Sequence, residues 1–201
     1  GMIVARDQEF FDILADSGLS AVYHGIESAS DSVLHRMQKH QTRKMIESTL
    51  EKEHKAGIKI YGLFLTDYVE ETWEEYFETV DFIRSSRCMT GGRVASLMVF
   101  PDSKQPLYRN SEEYDIEFEE SEERNWMERS LNFSLSFTDS RDEDMSSKKR
   151  RQRLKEVHMQ KLMDWQLFVK NFGREHPLTF LRLQANKIVS KDYPDISHYF
   201  V

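Results

Sequence analysis

Over residues 7–100, short apolar runs alternate with capped helical patterns, and few folds accept that order. Asp7 opens a short helix pattern with Phe10, Phe11, Ile13 and Leu14 on one side, and Gly18 is placed to end it. Residues 19–26 read as a strand. Ser28-Ala29-Ser30-Asp31 is a capping pattern ahead of the apolar Val33, Leu34 and Met37. A second helix is expected from about Thr42 to Ala56, with Met45, Ile46 and Leu50 inward and Gly57 as its stop. Residues 58–65 form a nearly continuous apolar run, the pattern of a strand covered on both faces. Thr72-Trp73-Glu74-Glu75 is another capping box, and Trp73, Phe77, Val80, Phe82 and Ile83 give the following helix its apolar face. Residues 93–100 read as a third strand, ended by Pro101. Strands separated by amphipathic helices imply right-handed βαβ units and a parallel sheet.

Beyond Tyr108 the character changes. Residues 112–124 are strongly acidic, and Leu154, Val157, Leu162, Trp165, Phe168, Val169 and Phe172 recur at helical spacing up to Gly173. Pro177 suits the start of a last helix, with Leu178, Leu181, Ala185 and Ile188 on one face. The chain is therefore expected to divide into a β/α part over residues 2–110 and a mainly helical part over 111–201. The basic run Lys148-Lys149-Arg150-Arg151-Gln152-Arg153 sits at a helix N-terminus, the disfavoured end for positive charge. The acidic 112–124 segment is its expected counterpart.

Bulk composition narrows the function classes. No apolar run approaches the roughly 20 residues that span a bilayer, so no membrane association is expected. The one cysteine, Cys88, has no partner for an intrachain disulfide and by itself holds neither zinc nor an iron–sulfur cluster. A lone cysteine suits a reducing cytosol, so a cytoplasmic location is expected. A net charge of −7 argues against a nucleic-acid partner. His35 and His40 are five residues apart, which on a helix turns them ~140° from each other, so no metal site is expected there. No phosphate-loop, dinucleotide or nucleophile–base motif is present, and catalytic residues are not identified.

A family likeness rests on several short pieces in order. They are Gly25-Ile26-Glu27-Ser28 at a strand end, Lys39-His40, the helix-capping Thr42, and Ala56-Gly57-Ile58 before the next strand. In this sequence and spacing they resemble the C-terminal half of a radical S-adenosylmethionine (SAM) barrel, over about residues 4–108. The likeness is closest to the branch that often carries a cobalamin-binding domain. It implies an α/β fold, a partial (half) parallel β/α barrel of radical SAM type followed by a helical C-terminal region. For the intact family it implies SAM and a [4Fe–4S] cluster as cofactors, with cobalamin as a possible addition. Glu27 would lie at the C-terminal end of a barrel strand, where such folds place their sites, and could accept hydrogen bonds from the SAM ribose or amino group. Gly25 would keep the strand open to the ligand, and Tyr23 and Gly62 would line the same cavity. The plain alternative for Glu27 is an acidic residue favouring a helix N-terminus.

Three departures from the family pattern stand out. The Cys-x₃-Cys-x₂-Cys loop is absent, and it would lie upstream of Met2, because Ile3-Val4-Ala5-Arg6 matches the end of the third barrel strand. Where the family has Gly-x-Pro-Gly-Glu-Thr, this chain has Asp67-Tyr68-Val69-Glu70-Glu71-Thr72. The family's Pro-Gly-Thr-x-Leu-Tyr is reduced to Pro101-Asp102-Ser103 and Pro106-Leu107-Tyr108. Loss of the glycines removes backbone freedom near the ligand, and Asp67 and Glu70 add bulk and charge. The expectation is the C-terminal part of a larger radical SAM protein, with neither a stable cluster nor turnover from this chain alone. The alternative is a stand-alone, degenerate binding or assembly module. Three or four parallel strands cannot close a barrel, so the 19–26 edge calls for a cover. An upstream region, the chain's own C-terminal helices or a homo-oligomer would supply it.

Overall fold

A computed structural model describes residues 6–99, 105–118, 137–139 and 144–172; in the last segment it describes the side chains of residue 144 and of 146–164. The helix expected after Pro177, and the side chains of Trp165, Phe168, Val169 and Phe172, lie outside the described residues.

Three parallel strands, β1 (Ala21–Glu27), β2 (Lys59–Thr66) and β3 (Gly91–Ser96), form a sheet in the order β1-β2-β3. Helix α1 (Gln8–Asp16) precedes β1, α2 (Asp31–Arg36) and α3 (Arg43–Lys55) join β1 to β2, and α4 (Trp73–Ser85) joins β2 to β3. Capping sets these starts. Asp7 and Thr42 accept from the N–H groups of Phe10 and Met45. Thr72 and Glu75 make a complete reciprocal capping box at α4. The Ser28–Asp31 pattern behaves differently. Ser30 is the N-cap of α2 without a side-chain capping bond, and the Ser28 hydroxyl instead meets that of Thr79 at 3.0 Å.

Two strand expectations are corrected. β3 begins at Gly91, because Gly91 and Gly92 pair directly with Tyr61 and Gly62. A β-carbon at Gly92 would strike the Gly62 carbonyl and Met163, so glycine is what allows the ladder to start there. β2 is not covered on both faces. Ile60, Gly62, Phe64 and Thr66 are buried, whereas Lys59 and Leu63 are exposed and Tyr61 and Leu65 half-buried. An apolar run implies a two-sided cover, but among the described residues helices cover one side of this sheet.

That covered side holds the core, built from Ile26, Ile60 and Phe64 of the sheet against Ile46 and Leu50 of α3 and Tyr76, Val80 and Ile83 of α4. The core does not stop at residue 110. After α5 (Pro106–Arg109), a 3₁₀ turn (Ser111–Tyr114) and a two-residue antiparallel pairing of β4 (Glu117–Phe118) with β5 (Phe137–Thr138), the long helix α6 (Met145–Phe172) returns to the sheet. Its Leu154, Met159 and Met163 join the same core. α6 also closes the β3 edge. Gln160 Oε1 accepts from the Val94 N–H at 3.1 Å, and Glu156 Oε1 from the Ser96 N–H at 2.5 Å. Acceptors four residues apart on a helix lie ~6 Å apart, close to the ~6.6 Å between alternate strand amides. Side chains thus replace a neighbouring strand at that edge, and β1 is the edge with no strand beside it among the described residues.

A second apolar cluster sits at the C-terminal ends of the strands, where Val69 and Val99 pack with Leu107, Ile116 and Phe137. It clamps the turn after β2 from one side while α6 holds the other.

Candidate functional site at the strand ends

The side chains of a strand alternate between faces, so one residue in two on each strand points away from the helices. Tyr23 and Gly25 of β1 share that open face with Tyr61, Leu63 and Leu65 of β2 and Arg93 and Ala95 of β3. Glu27, which pairs with Phe64 across a register shift, reaches it through a carboxylate lying over Gly25. Tyr23 is 69% exposed and its ring stacks on Tyr61, with centroids 4.8 Å apart and planes 15° from parallel. Three of the four residues singled out from the sequence are therefore brought together. Gly62 is not one of them. It faces the helices, where a β-carbon would meet Phe64, Met89 and Ile26. It has no place on the face that Tyr23, Gly25 and Glu27 form, and its smallness serves core packing.

Glu27 closes β1 with φ +66°, in the left-handed region, where the pairing with β2 shifts register between Gly25 and Glu27. The turn folds its carboxylate back over the strand. A β-carbon at Gly25 would lie 2.6 Å from Glu27 Oε1 and 3.9 Å from Lys39 Nζ, so the missing side chain makes room for the carboxylate itself. Lys39 Nζ donates to Glu27 Oε1 at 3.2 Å, and both side chains keep about a third or less of their surface in solvent. The result is a carboxylate on the open face, held among the described residues by one part-exposed ammonium. Lys39 belonged to the sequence pattern without a role there, because its approach to Glu27 depends on Gln38 turning the chain at φ +55°.

The turn after β2 enters the left-handed region twice. Asp67 and Glu70 both hold left-handed backbones, with φ +62° and +60°. Asp67 is fully buried, and its carboxylate receives Arg151 Nε at 2.7 Å, Arg151 Nη2 at 3.1 Å and the Lys155 ammonium at 3.6 Å. Glu71 Oε2 accepts from Lys155 Nζ at 2.7 Å and from the Asp67 N–H at 2.9 Å. Lys155 also lies over the rings of Trp73 and Tyr76, at 4.9 and 5.2 Å. Part of the basic run of α6 therefore meets the turn after β2, and Lys148 stacks on Phe137 at 2.9 Å. Residues 119–124 of the acidic segment expected as its counterpart lie outside the described residues. Sequence reading had no signal for these pairs, which join residues 84 apart.

Two further networks brace the rim. Glu75 receives Arg36 through both terminal nitrogens, at 2.8 and 2.7 Å, together with the Ser32 hydroxyl at 2.6 Å and the Thr72 N–H at 2.9 Å. Burial pushes its carboxyl up, but these hydrogen bonds and the Arg36 charge outweigh burial and hold it at about 2. Beneath α4 the buried Tyr76 hydroxyl lies 2.7 Å from His158 Nδ1. Burial, with the charge of Arg84, brings the His158 imidazole down to about 4, so it is neutral near pH 7. On the far side of the sheet core, His24 Nε2 sits 2.8 Å from both Glu53 oxygens and ties β1 to α3.

The donor set does not suit an iron–sulfur cluster, which needs several thiolates. The sole cysteine, Cys88, follows α4 and precedes β3, which places it at the opposite end of the sheet from Glu27. Among the described residues no group of three His, Cys, Asp or Glu side chains could hold a metal ion, and His35 and His40 are both exposed. No described helix is long and apolar enough to cross a membrane.

Residues 2–83 match the family model of the Radical SAM superfamily. The chain is also 32% identical over 77 residues to a Methanocaldococcus jannaschii protein described as a candidate methylthiotransferase. That alignment covers 38% of this chain and 17% of the relative, so the chain spans only a small part of that protein's length.

Proposed function

We propose that this chain supplies the C-terminal half of a radical SAM barrel, with the strand-end rim around Glu27 forming part of the wall that holds SAM. One observation carries the reading. Tyr23, Gly25 and Glu27, all within the stretch that the family model matches, line the open face of a parallel sheet, with Glu27 at its C-terminal end. That is the end at which β/α barrels assemble their sites. In an intact protein of the family a [4Fe–4S] cluster would supply the reducing electron for radical chemistry on SAM. The residues present do not suit that cluster, so the reading requires its thiolates to come from a segment beyond these 201 residues. This chain's own part is binding. The Glu27 carboxylate would accept a hydrogen bond from a ribose hydroxyl or the SAM ammonium, releasing Lys39, and Gly25 gives that carboxylate its room. The open face and the β1 edge, which has no strand beside it among the described residues, would then meet the upstream half of the barrel. A cobalamin-binding domain enters this reading only through the branch that the sequence pattern resembles.

A second reading has its own support. The turn at 67–71 is filled from within the chain by Arg151 and Lys155, as expected of a degenerate domain retained for binding or assembly. The coding sequence upstream of Met2 separates the two. An in-frame Cys-x₃-Cys-x₂-Cys loop supports the first reading, and a stop codon there turns the assignment to the second. In the protein carrying that loop, Glu27→Gln is expected to weaken SAM binding about tenfold, the loss of one charge-assisted hydrogen bond. Unchanged affinity would remove Glu27 from the site.

A further inference from the structure

Asp67 and Glu70 adopt backbone conformations that glycine enters freely and residues with a β-carbon resist. Such conformations persist where the surroundings over-determine them. Here the surroundings are on α6. Arg151 grips both Asp67 oxygens, and Lys155 bridges Asp67 and Glu71 while lying against Trp73 and Tyr76. α6 is itself fixed to the sheet by Glu156 and Gln160, which hold the edge amides of β3. The turn in its turn reaches α2, since the Tyr68 hydroxyl donates to the Arg36 carbonyl at 3.4 Å. Arg36 stands three residues before Lys39, the partner of Glu27.

We infer that Arg151 and Lys155 are positioning residues: α6 latches the 67–71 turn in its left-handed shape and so couples the C-terminal region to the rim that carries Glu27. The inference rests on the proposed function only in treating that rim as a site. At 67 the latch does the work that a glycine would otherwise do. An ion pair supplied from a distant helix stabilises a turn whose own residues disfavour it. Unlike a glycine turn, this one opens when the helix leaves.

The two roles of Arg151, bracing the core and shaping the turn, are separated by a suppressor experiment on the full chain. The readout is hydrogen–deuterium exchange by mass spectrometry. In the native turn the Asp67 N–H bonds to Glu71, and the Glu71 N–H bonds to the Tyr68 carbonyl at 2.9 Å. Arg151→Met is expected to speed exchange across 67–72 roughly tenfold while peptides from β1 and β2 keep their rates. Adding Asp67→Gly should return the turn to within about threefold of the unmodified chain, because glycine adopts the left-handed conformation unaided. Unchanged exchange in Arg151→Met would overturn the latch. So would equal acceleration in β2, the mark of a merely structural role, or a double variant as fast as the single one. Should Arg151→Met fail to fold, the double variant decides alone: folded and protected supports the latch, unfolded rejects it. No cofactor enters the measurement, so its failure leaves the radical SAM reading untouched, and loss of that reading leaves the latch standing.

Discussion

Replacing Glu75 by glutamine tests the electrostatic account of the rim most directly. The carboxylate collects four hydrogen bonds, two of them from Arg36, and its side chain is 13% exposed. It ties α2, which leaves β1, to the first turn of α4, which leaves β2. Hydrogen bonding lowers its pKa from 4.5 to about 2 against the opposing effect of burial. A shift of that size corresponds to about 3 kcal/mol. Arg36 keeps 28% of its side chain in solvent, and screening there brings the expected contribution nearer ~2 kcal/mol. Because the folded value is the lower one, the stabilisation is complete above about pH 4.5 and disappears as pH falls through about 2. Glu75→Gln keeps an acceptor but loses the charge, so it should cost ~2 kcal/mol at pH 7. The gap between the unmodified chain and the variant should then close steadily between pH 4.5 and 2. Urea denaturation followed by tryptophan fluorescence at several pH values measures that gap, and other acids cancel in the difference. A gap that stays constant with pH, or one below ~0.5 kcal/mol at neutral pH, would refute the reasoning.

Two further outcomes follow from backbone geometry. Glu70 is exposed and left-handed, so Glu70→Gly should stabilise the chain by about 0.5 kcal/mol after the entropy of the unfolded glycine is counted. A thermal melt that is unchanged or lower would contradict the strain assigned to that turn. Gly25→Ala and Gly92→Ala should differ sharply. At Gly25 the clash is with the mobile end of Glu27, so the fold should survive with a loss under ~1 kcal/mol while the Lys39 pair breaks. At Gly92 the clash is with the Gly62 backbone, and ~2–3 kcal/mol or failure to fold is expected. Comparable melting temperatures for the two variants would undo this account.

The β/α order was legible because caps and periodicity are local properties. Asp7, Thr42 and Thr72 begin helices, Gly18 and Gly57 hold positive φ after them, and the parallel strands lie between. That Tyr23 and Gly25 share a face was legible for the same reason, since alternate residues of one strand do so. Glu27, by contrast, joins them through a register shift and a left-handed turn that no local pattern announces. Gly62 was misplaced because its face depends on the register of β2 against β1, which no local pattern carries. The one-sided covering of β2 was not legible because an apolar run reads the same whether helices lie on one face or on both.

What the sequence determined by itself was the order of helices and strands through β3, the long C-terminal helix and the carboxylate at the end of the first strand. All of these depend on neighbours within a few residues. What only the tertiary structure decided was what happens to the turn at 67–71. From sequence, Asp67 and Glu70 were losses of backbone freedom, with added charge near a ligand. Folding brings Arg151 and Lys155 across 84 residues to neutralise that charge and hold the left-handed turn. Such pairs form because a buried carboxylate must find a cation wherever the chain can supply one. The requirement is set locally, but the residue that meets it is chosen by the packing of α6 on the sheet.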